Sequence, residues 1–141
     1  MSMTVIQEEY TLPSKGLIYP TKFNPDVKLR SMTVAEEMAR LTASDKPYKV
    51  MADIIEACLL TRLPISVYDL CLGDYQYLLH KLRVVTYGPE YDIQIRCPHC
   101  GEIFDWHINL DELKVNEYSD EIEELKFIKL PVSGDSVEIG F

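Results

Sequence analysis

The most distinctive chemistry in this sequence belongs to two cysteines, Cys97 and Cys100, within the segment Cys-Pro-His-Cys-Gly. Two thiolates three positions apart in a tight turn can bind the same ion, and this spacing supplies half of a tetrahedral zinc site. Gly101 follows directly and permits a positive φ, which lets backbone amides point at the sulfur atoms. The segment therefore predicts a zinc-knuckle-like turn, with zinc as a structural ion.

The other half of such a site has no pattern of its own, because the sequence contains no second CxxC and no closely spaced pair of histidines. His107 lies seven residues past Cys100, where a returning strand can bring it toward the turn. Cys58 and Cys71 lie in apolar, helical surroundings, where a cysteine more often serves as a small core side chain. These three residues are the possible further ligands.

Three alternatives to a metal site stay open for the same two cysteines. The simplest is a reduced turn that only braces two strands. A redox pair is disfavoured, because a reactive CxxC begins a helix that lowers the thiol pKa, whereas the acidic neighbours here should raise it. Disulfides are disfavoured too, because the sequence shows no export signal and the protein is expected in a reducing cytoplasm.

The charge of the chain is unevenly distributed. The net charge of the chain is −9. Residues 1–90 contain ten Lys or Arg and eleven Asp or Glu, whereas residues 91–141 contain four Lys or Arg and twelve Asp or Glu. Nucleic-acid binding depends largely on basic side chains that neutralise phosphates, so an acidic region around a zinc-type motif disfavours it. A basic protein partner suits this half better, and no apolar run is long enough for a membrane span.

Other catalytic chemistry finds no support in the sequence. The histidines His80, His99 and His107 belong to a helix, the cysteine turn and a strand, and no nucleophile elbow or phosphate-binding glycine loop is present. The acidic cluster at 120–124 lacks the alternating spacing of a calcium loop and reads as a solvated helix face. Trp106 and the tyrosines are expected to pack in the core or to contact a partner.

The elements that position the cysteine turn are of mixed type, which predicts an α+β fold with a small helical core and short β-strands. Residues 1–141 form a single domain, in which 1–30 are extended segments, including Leu17–Tyr19, and 31–88 are helical. Thr33 and Glu36 form a capping box, and the apolar residues of 50–59 recur at helical spacing.

From residue 89 the apolar period changes to two, which predicts a β-hairpin over 89–113 with the cysteine turn at its tip. Residues 114–141 form an acidic C-terminal part, with an acidic helical turn over 120–125 and short strands over 127–130 and 137–141. Within it, Leu130-Pro-Val-Ser-Gly134 echoes Leu12-Pro-Ser-Lys-Gly16. If the echo is real, a second LPxxG module begins at residue 130.

Three stretches together resemble the T-even-type bacteriophage baseplate family, the baseplate hub and hub assembly proteins of contractile tails. They read, in order, LPSKGLIYP with SMTVAEEMARL, then LGDYQYLLHKLRVVTYGPEY, then DIQIRCPHCGEIFDWHINLDEL. Their order and spacing agree with that family over roughly residues 10 to 115.

This resemblance implies a non-enzymatic structural or assembly role in a phage tail baseplate. The implied partners are other baseplate or hub subunits, with the protein as part of a larger assembly and without nucleic acid or membrane. The implied location is the host cytoplasm during assembly and the virion tail afterwards. The cysteine turn alone would instead suggest a small zinc-ribbon-like regulator that binds nucleic acid.

Overall fold

A computed structural model describes residues 5–119 and 127–139 of the chain. Its strands and helices follow one another in the order β1 (Gln7–Thr11), β2 (Asp26–Arg30), α1 (Val34–Leu41), α2 (Pro47–Cys58), α3 (Leu72–Tyr87), β3 (Glu90–Arg96), β4 (Ile103–Asn109), β5 (Phe127–Lys129) and β6 (Ser136–Glu138). Short 3-10 helices lie at Val67–Asp69 and Leu110–Glu112. The strands form three separate antiparallel pairs, β1–β2, β3–β4 and β5–β6. The predicted α+β class is confirmed.

The strand β2 leads into α1 through the capping box that the sequence predicts. The Glu36 carboxylate accepts a hydrogen bond from the Thr33 backbone N–H at 2.7 Å. It also pairs with the Arg30 guanidinium at 2.8 Å, so one carboxylate joins the end of the strand to the first turn of the helix. These contacts hold the pKa of Glu36 well below its usual value, at about 2, with the Arg30 hydrogen bond as the largest cause.

The core lies where β1–β2 meets α2 and α3. Leu29 on β2, Ile55 on α2 and Leu78 on α3 are fully buried, and they belong to one contiguous apolar cluster. Alternation along β2 places Val27 and Leu29 on the same inward face. After α2, the chain continues along the free edge of β2, where the Leu60 N–H donates to the Lys28 carbonyl at 2.8 Å.

The helix α1 differs from the other two helices. Val34, Met38 and Leu41 lie on one face, as their spacing predicts, yet these side chains are 66 to 73% exposed, and α1 contains no buried residue. The apolar face of α1 is therefore directed away from the core that α2 and α3 share.

The N-terminal loop is fixed to α3 by the buried carboxylate of Asp74, which has no exposed surface. Asp74 accepts from the Ser14 backbone N–H at 3.1 Å, from the Ser14 hydroxyl at 2.5 Å and from the Tyr19 hydroxyl at 2.5 Å. Burial and the Asp74 bond raise the pKa of Tyr19. The prediction of an extended segment at Leu17–Tyr19 is wrong, because these bonds hold it as an irregular loop against the helix.

The loop also depends on Gly16, whose φ is +67°. A Cβ atom at this position would lie 2.2 Å from the Phe23 carbonyl oxygen, so the loop closes on itself only around a glycine.

Some of the remaining predicted elements lie within the described residues and one lies outside them. Of the predicted short strands over 127–130 and 137–141, the described residues contain β5 and β6. The predicted acidic helix at 120–125 lies outside the described residues. No helix in the described part of the chain is long and apolar enough to cross a membrane.

Substituting Asp74→Asn is expected to destabilise the fold strongly, because one amide oxygen cannot accept from the three donors that now share a carboxylate. We expect a loss of about 3 kcal/mol, which lowers the melting temperature by about 10 °C. Calorimetry measures this directly. The control is Asp45→Asn at an exposed position, which should leave the transition in place, and equal melting temperatures for the two variants would contradict the prediction.

Stability should fall in acid partly through Glu36. Because the pKa of Glu36 in the folded protein is about 2 instead of 4.5, its contribution is complete above about pH 4.5 and is lost as the pH falls toward 2. The gap in melting temperature between the parent and Glu36→Gln should therefore be constant near neutrality and close over that interval. The exposed Glu56→Gln serves as control, and a gap that persists at pH 2 would contradict this assignment.

Candidate functional site

The two cysteines lie in the turn that joins β3 to β4. The Cys97 N–H donates to the Glu102 carbonyl at 2.8 Å, and the Gly101 N–H donates to the Cys97 carbonyl at 2.9 Å, with Gly101 at a φ of +75°. Both thiols are free, as are those of Cys58 and Cys71. The turn is closed by its own backbone bonds.

The pKa of the Cys97 thiol is lowered from its ordinary value, mainly because the backbone N–H of Cys100 points at the sulfur atom. The N–H of His99 and the Cys100 thiol add to this effect. The expectation that acidic neighbours raise the pKa is therefore wrong. No carboxylate is among the causes of the shift, so the amide donors at the sulfur set its direction.

The three possible further ligands do not converge on this turn. His107 pairs in register with Asp92, at the far end of the hairpin from the cysteines, and its Nδ1 lies 2.5 Å from the Asp92 carboxylate. Cys58 is buried in the core, and Cys71 precedes α3, where its N–H donates to the Tyr19 hydroxyl at 3.1 Å. Among residues 5–119 and 127–139, no group of three or more His, Cys, Asp or Glu side chains is arranged to hold a metal ion.

The hairpin β3–β4 has one apolar and one polar side. Strand pairing places Tyr91 opposite Ile108, Ile93 opposite Trp106, and Ile95 opposite Phe104. Directly paired residues share a side of the sheet, so these six side chains form one surface, called here the hairpin face. None of them is buried, and Trp106 is 53% exposed.

The opposite side of the hairpin is mainly polar. Asp92 lies across from His107, and Asp105 lies across from Gln94. The hydrogen bond to Asp92 raises the pKa of His107. Asp105 and the neighbouring Glu102 outnumber Arg96, so this surface is poorly suited to a nucleic-acid backbone.

The base of the hairpin is held on α3 by several contacts. The Arg83 guanidinium lies 4.5 Å from the ring centre of Tyr91 and 5.6 Å from that of Tyr87. Just after β4, Leu110 is buried, its N–H donates to the Pro89 carbonyl at 2.8 Å, and its carbonyl lies 3.1 Å from Nε2 of His80. The hairpin face is thus presented from a fixed base.

The sequence predicted the strand alternation and left Trp106 and the tyrosines either to pack in the core or to contact a partner, but two residues that position the site were missed. Arg83 has a signal in the sequence, because it falls one turn before Tyr87 on the same helix face. The sequence signal for Asp74 is weaker. An acidic residue in the first turn of a helix is usually exposed, where the helix dipole favours it, so its position alone does not indicate burial. Only its burial identifies its role.

Comparison with known proteins decides the family. The family model described as T4 bacteriophage base plate protein matches residues 3–141.

This chain belongs to the T4 bacteriophage base plate protein family.

As a member of this family, the protein is a phage baseplate component, which assigns it to the virion tail and to an assembly with other baseplate subunits. No match was found among the curated proteins or the solved structures.

The cysteines should differ sharply in reactivity. The pKa of Cys97 is lowered, whereas burial raises the pKa of Cys58 to about 11, so near neutral pH Cys97 should be alkylated first and Cys58 last. Peptide mass spectrometry after timed iodoacetamide treatment at several pH values measures both rates. In denaturant the two rates should converge, and equal rates in the native protein would contradict the prediction.

Proposed function

We propose that this baseplate protein is a non-enzymatic structural or assembly component of a contractile phage tail that binds neighbouring baseplate or hub subunits through its hairpin face. The observation that carries the proposal is an apolar sheet surface with no buried member, held on a helix by Arg83 and Leu110. Soluble monomers rarely leave a contiguous apolar surface uncovered, and such surfaces commonly mark interfaces.

The composition of the hairpin face supports a protein partner. Aromatic residues are enriched in the energetically dominant parts of interfaces, and this face carries Tyr91, Phe104 and Trp106. Phe104 and Trp106 contact each other edge to face, with ring centres 6.4 Å apart, which limits the side-chain entropy that binding would cost. A complementary surface would be apolar at its centre.

The absence of enzymatic activity in the proposal rests on where the histidines lie. His80 contacts a backbone carbonyl, and His107 pairs with an exposed carboxylate, so neither is engaged with a nucleophile. We place the protein in the host cytoplasm during assembly and in the tail afterwards. No observation favours a nucleic-acid-binding regulator.

Zinc stays a prediction from the sequence. Amides directed at the Cys97 sulfur and the tight turn at Gly101 suit a thiolate pair that binds a metal, so Cys97 and Cys100 would hold half of a zinc site. Zinc there would brace the tip of the hairpin. It would not contribute to the hairpin face, whose six residues lie along the strands.

The single tryptophan of the chain offers a direct test, because Trp106 lies on the hairpin face. Protein labelled with 5-fluorotryptophan gives one fluorine resonance, which should shift and broaden when unlabelled baseplate subunits of the same phage are added. Ile93→Asp buries a charge in the proposed contact and should weaken binding at least about tenfold.

Gln94→Asp is the matched control, since it adds the same charge at the next position on the opposite side of the hairpin. It should bind as the parent does. A complex that forms without any change at Trp106, or that tolerates Ile93→Asp, would refute this assignment of the contact surface.

A further inference from the structure

The two terminal strand pairs are built in the same register. In β1–β2, Tyr10 pairs with Val27, two residues before the Leu-Pro of the first LPxxG sequence. In β5–β6, Ile128 pairs with Val137, two residues before the Leu-Pro of the second. The similarity of the two five-residue sequences is thus accompanied by the same strand pairing. A chance similarity between two short sequences would not require this agreement in structure.

The hydrogen bond that closes each loop is also shared. The Leu12 N–H donates to the Pro25 carbonyl at 3.0 Å, and the Leu130 N–H donates to the Asp135 carbonyl at 2.8 Å. Both bonds lie one residue beyond the last strand pair. The glycine that ends each motif has a positive φ, +67° in the first and +75° in the second. Residues 127–139, called here the C-terminal hairpin, are therefore a shortened copy of the N-terminal module.

The two copies differ in what covers them. Leu12, Val27 and Leu29 of the first copy are at most 2% exposed. Their counterparts in the C-terminal hairpin, Leu130, Val137 and Ile139, are 41 to 44% exposed. Matching positions are apolar in both copies, but only the first has its apolar side buried.

The first copy indicates what kind of surface fits this side. Val27 and Leu29 pack in the core with Leu78 and Leu82 of the helix α3, so the module is completed by the apolar face of a helix. The described part of the chain contains one helix with an uncovered apolar face, which is α1 with Val34, Met38 and Leu41. Both surfaces are exposed in the single chain, so the chain does not join them itself.

We propose that two copies of this baseplate protein pair by reciprocal packing, in which the C-terminal hairpin of each covers the α1 face of the other. For patches of roughly 300 Å² on each side, the lower end for the largest apolar patch on a monomer, two reciprocal contacts would bury about 1,200 Å² in total. That total is the lower end for a specific interface, whereas one contact would be too small. Reciprocity also closes the assembly at two copies. This pairing does not depend on the hairpin face of β3–β4.

Sedimentation equilibrium of the full chain over a hundredfold concentration range tests the pairing. We expect a monomer–dimer equilibrium, which Val137→Asp in the C-terminal hairpin and Met38→Asp on α1 should each weaken at least about tenfold. Val132→Asp is the control, because Val132 is 98% exposed in the turn outside the paired strands, and it should dimerise normally. All three positions are exposed, so equal melting temperatures would verify that the variants fold.

Mixing the two damaged variants separates reciprocal packing from other arrangements. One hairpin–helix contact is intact in a mixed pair of Val137→Asp and Met38→Asp, so the mixture should dimerise more strongly than either variant alone. A chain that is monomeric throughout would overturn the proposal. So would a dimer that Val137→Asp weakens and Met38→Asp does not, because the hairpins would then pair with each other.

Discussion

The buried carboxylate of Asp74 joins the loop between β1 and β2 to the helix α3. It accepts hydrogen bonds from Ser14 and Tyr19, which belong to the loop between β1 and β2, while it is itself part of the first turn of α3. An unpaired buried charge would be costly, so the carboxylate and its three donors require one another. Because the loop is fixed, Leu12 and the inward side of β2 lie against α2 and α3, and α3 in turn carries the β3–β4 hairpin.

The surfaces that remain uncovered suit a protein whose packing is completed within an assembly. The core is closed around Leu29, Ile55 and Leu78, whereas the hairpin face, the α1 face and the C-terminal hairpin all expose aliphatic or aromatic side chains. Membership of a baseplate family gives the exposed surfaces a common explanation.

The cysteine turn contributes locally to this arrangement. Backbone bonds at Cys97 and Gly101 close the tip of β3–β4, and amides directed at the Cys97 sulfur favour its thiolate. Its role as half of a zinc site is independent of the hairpin face, whose residues are set by strand register. The cysteine turn, which has the clearest chemical pattern in the sequence, is therefore separate from the hairpin face, which best explains a structural role.

The sequence by itself determined the local elements and the family. The capping box at Thr33, the helical spacing of α2 and the period-two pattern of β3–β4 all depend on neighbouring residues, so they could be predicted without the fold. Which apolar sides are covered was decided only by the tertiary structure. Val27 and Val137 are both paired residues of a two-stranded antiparallel sheet, yet Val27 is 2% exposed and Val137 is 42% exposed, because the β1–β2 pair has α2 and α3 packed over it.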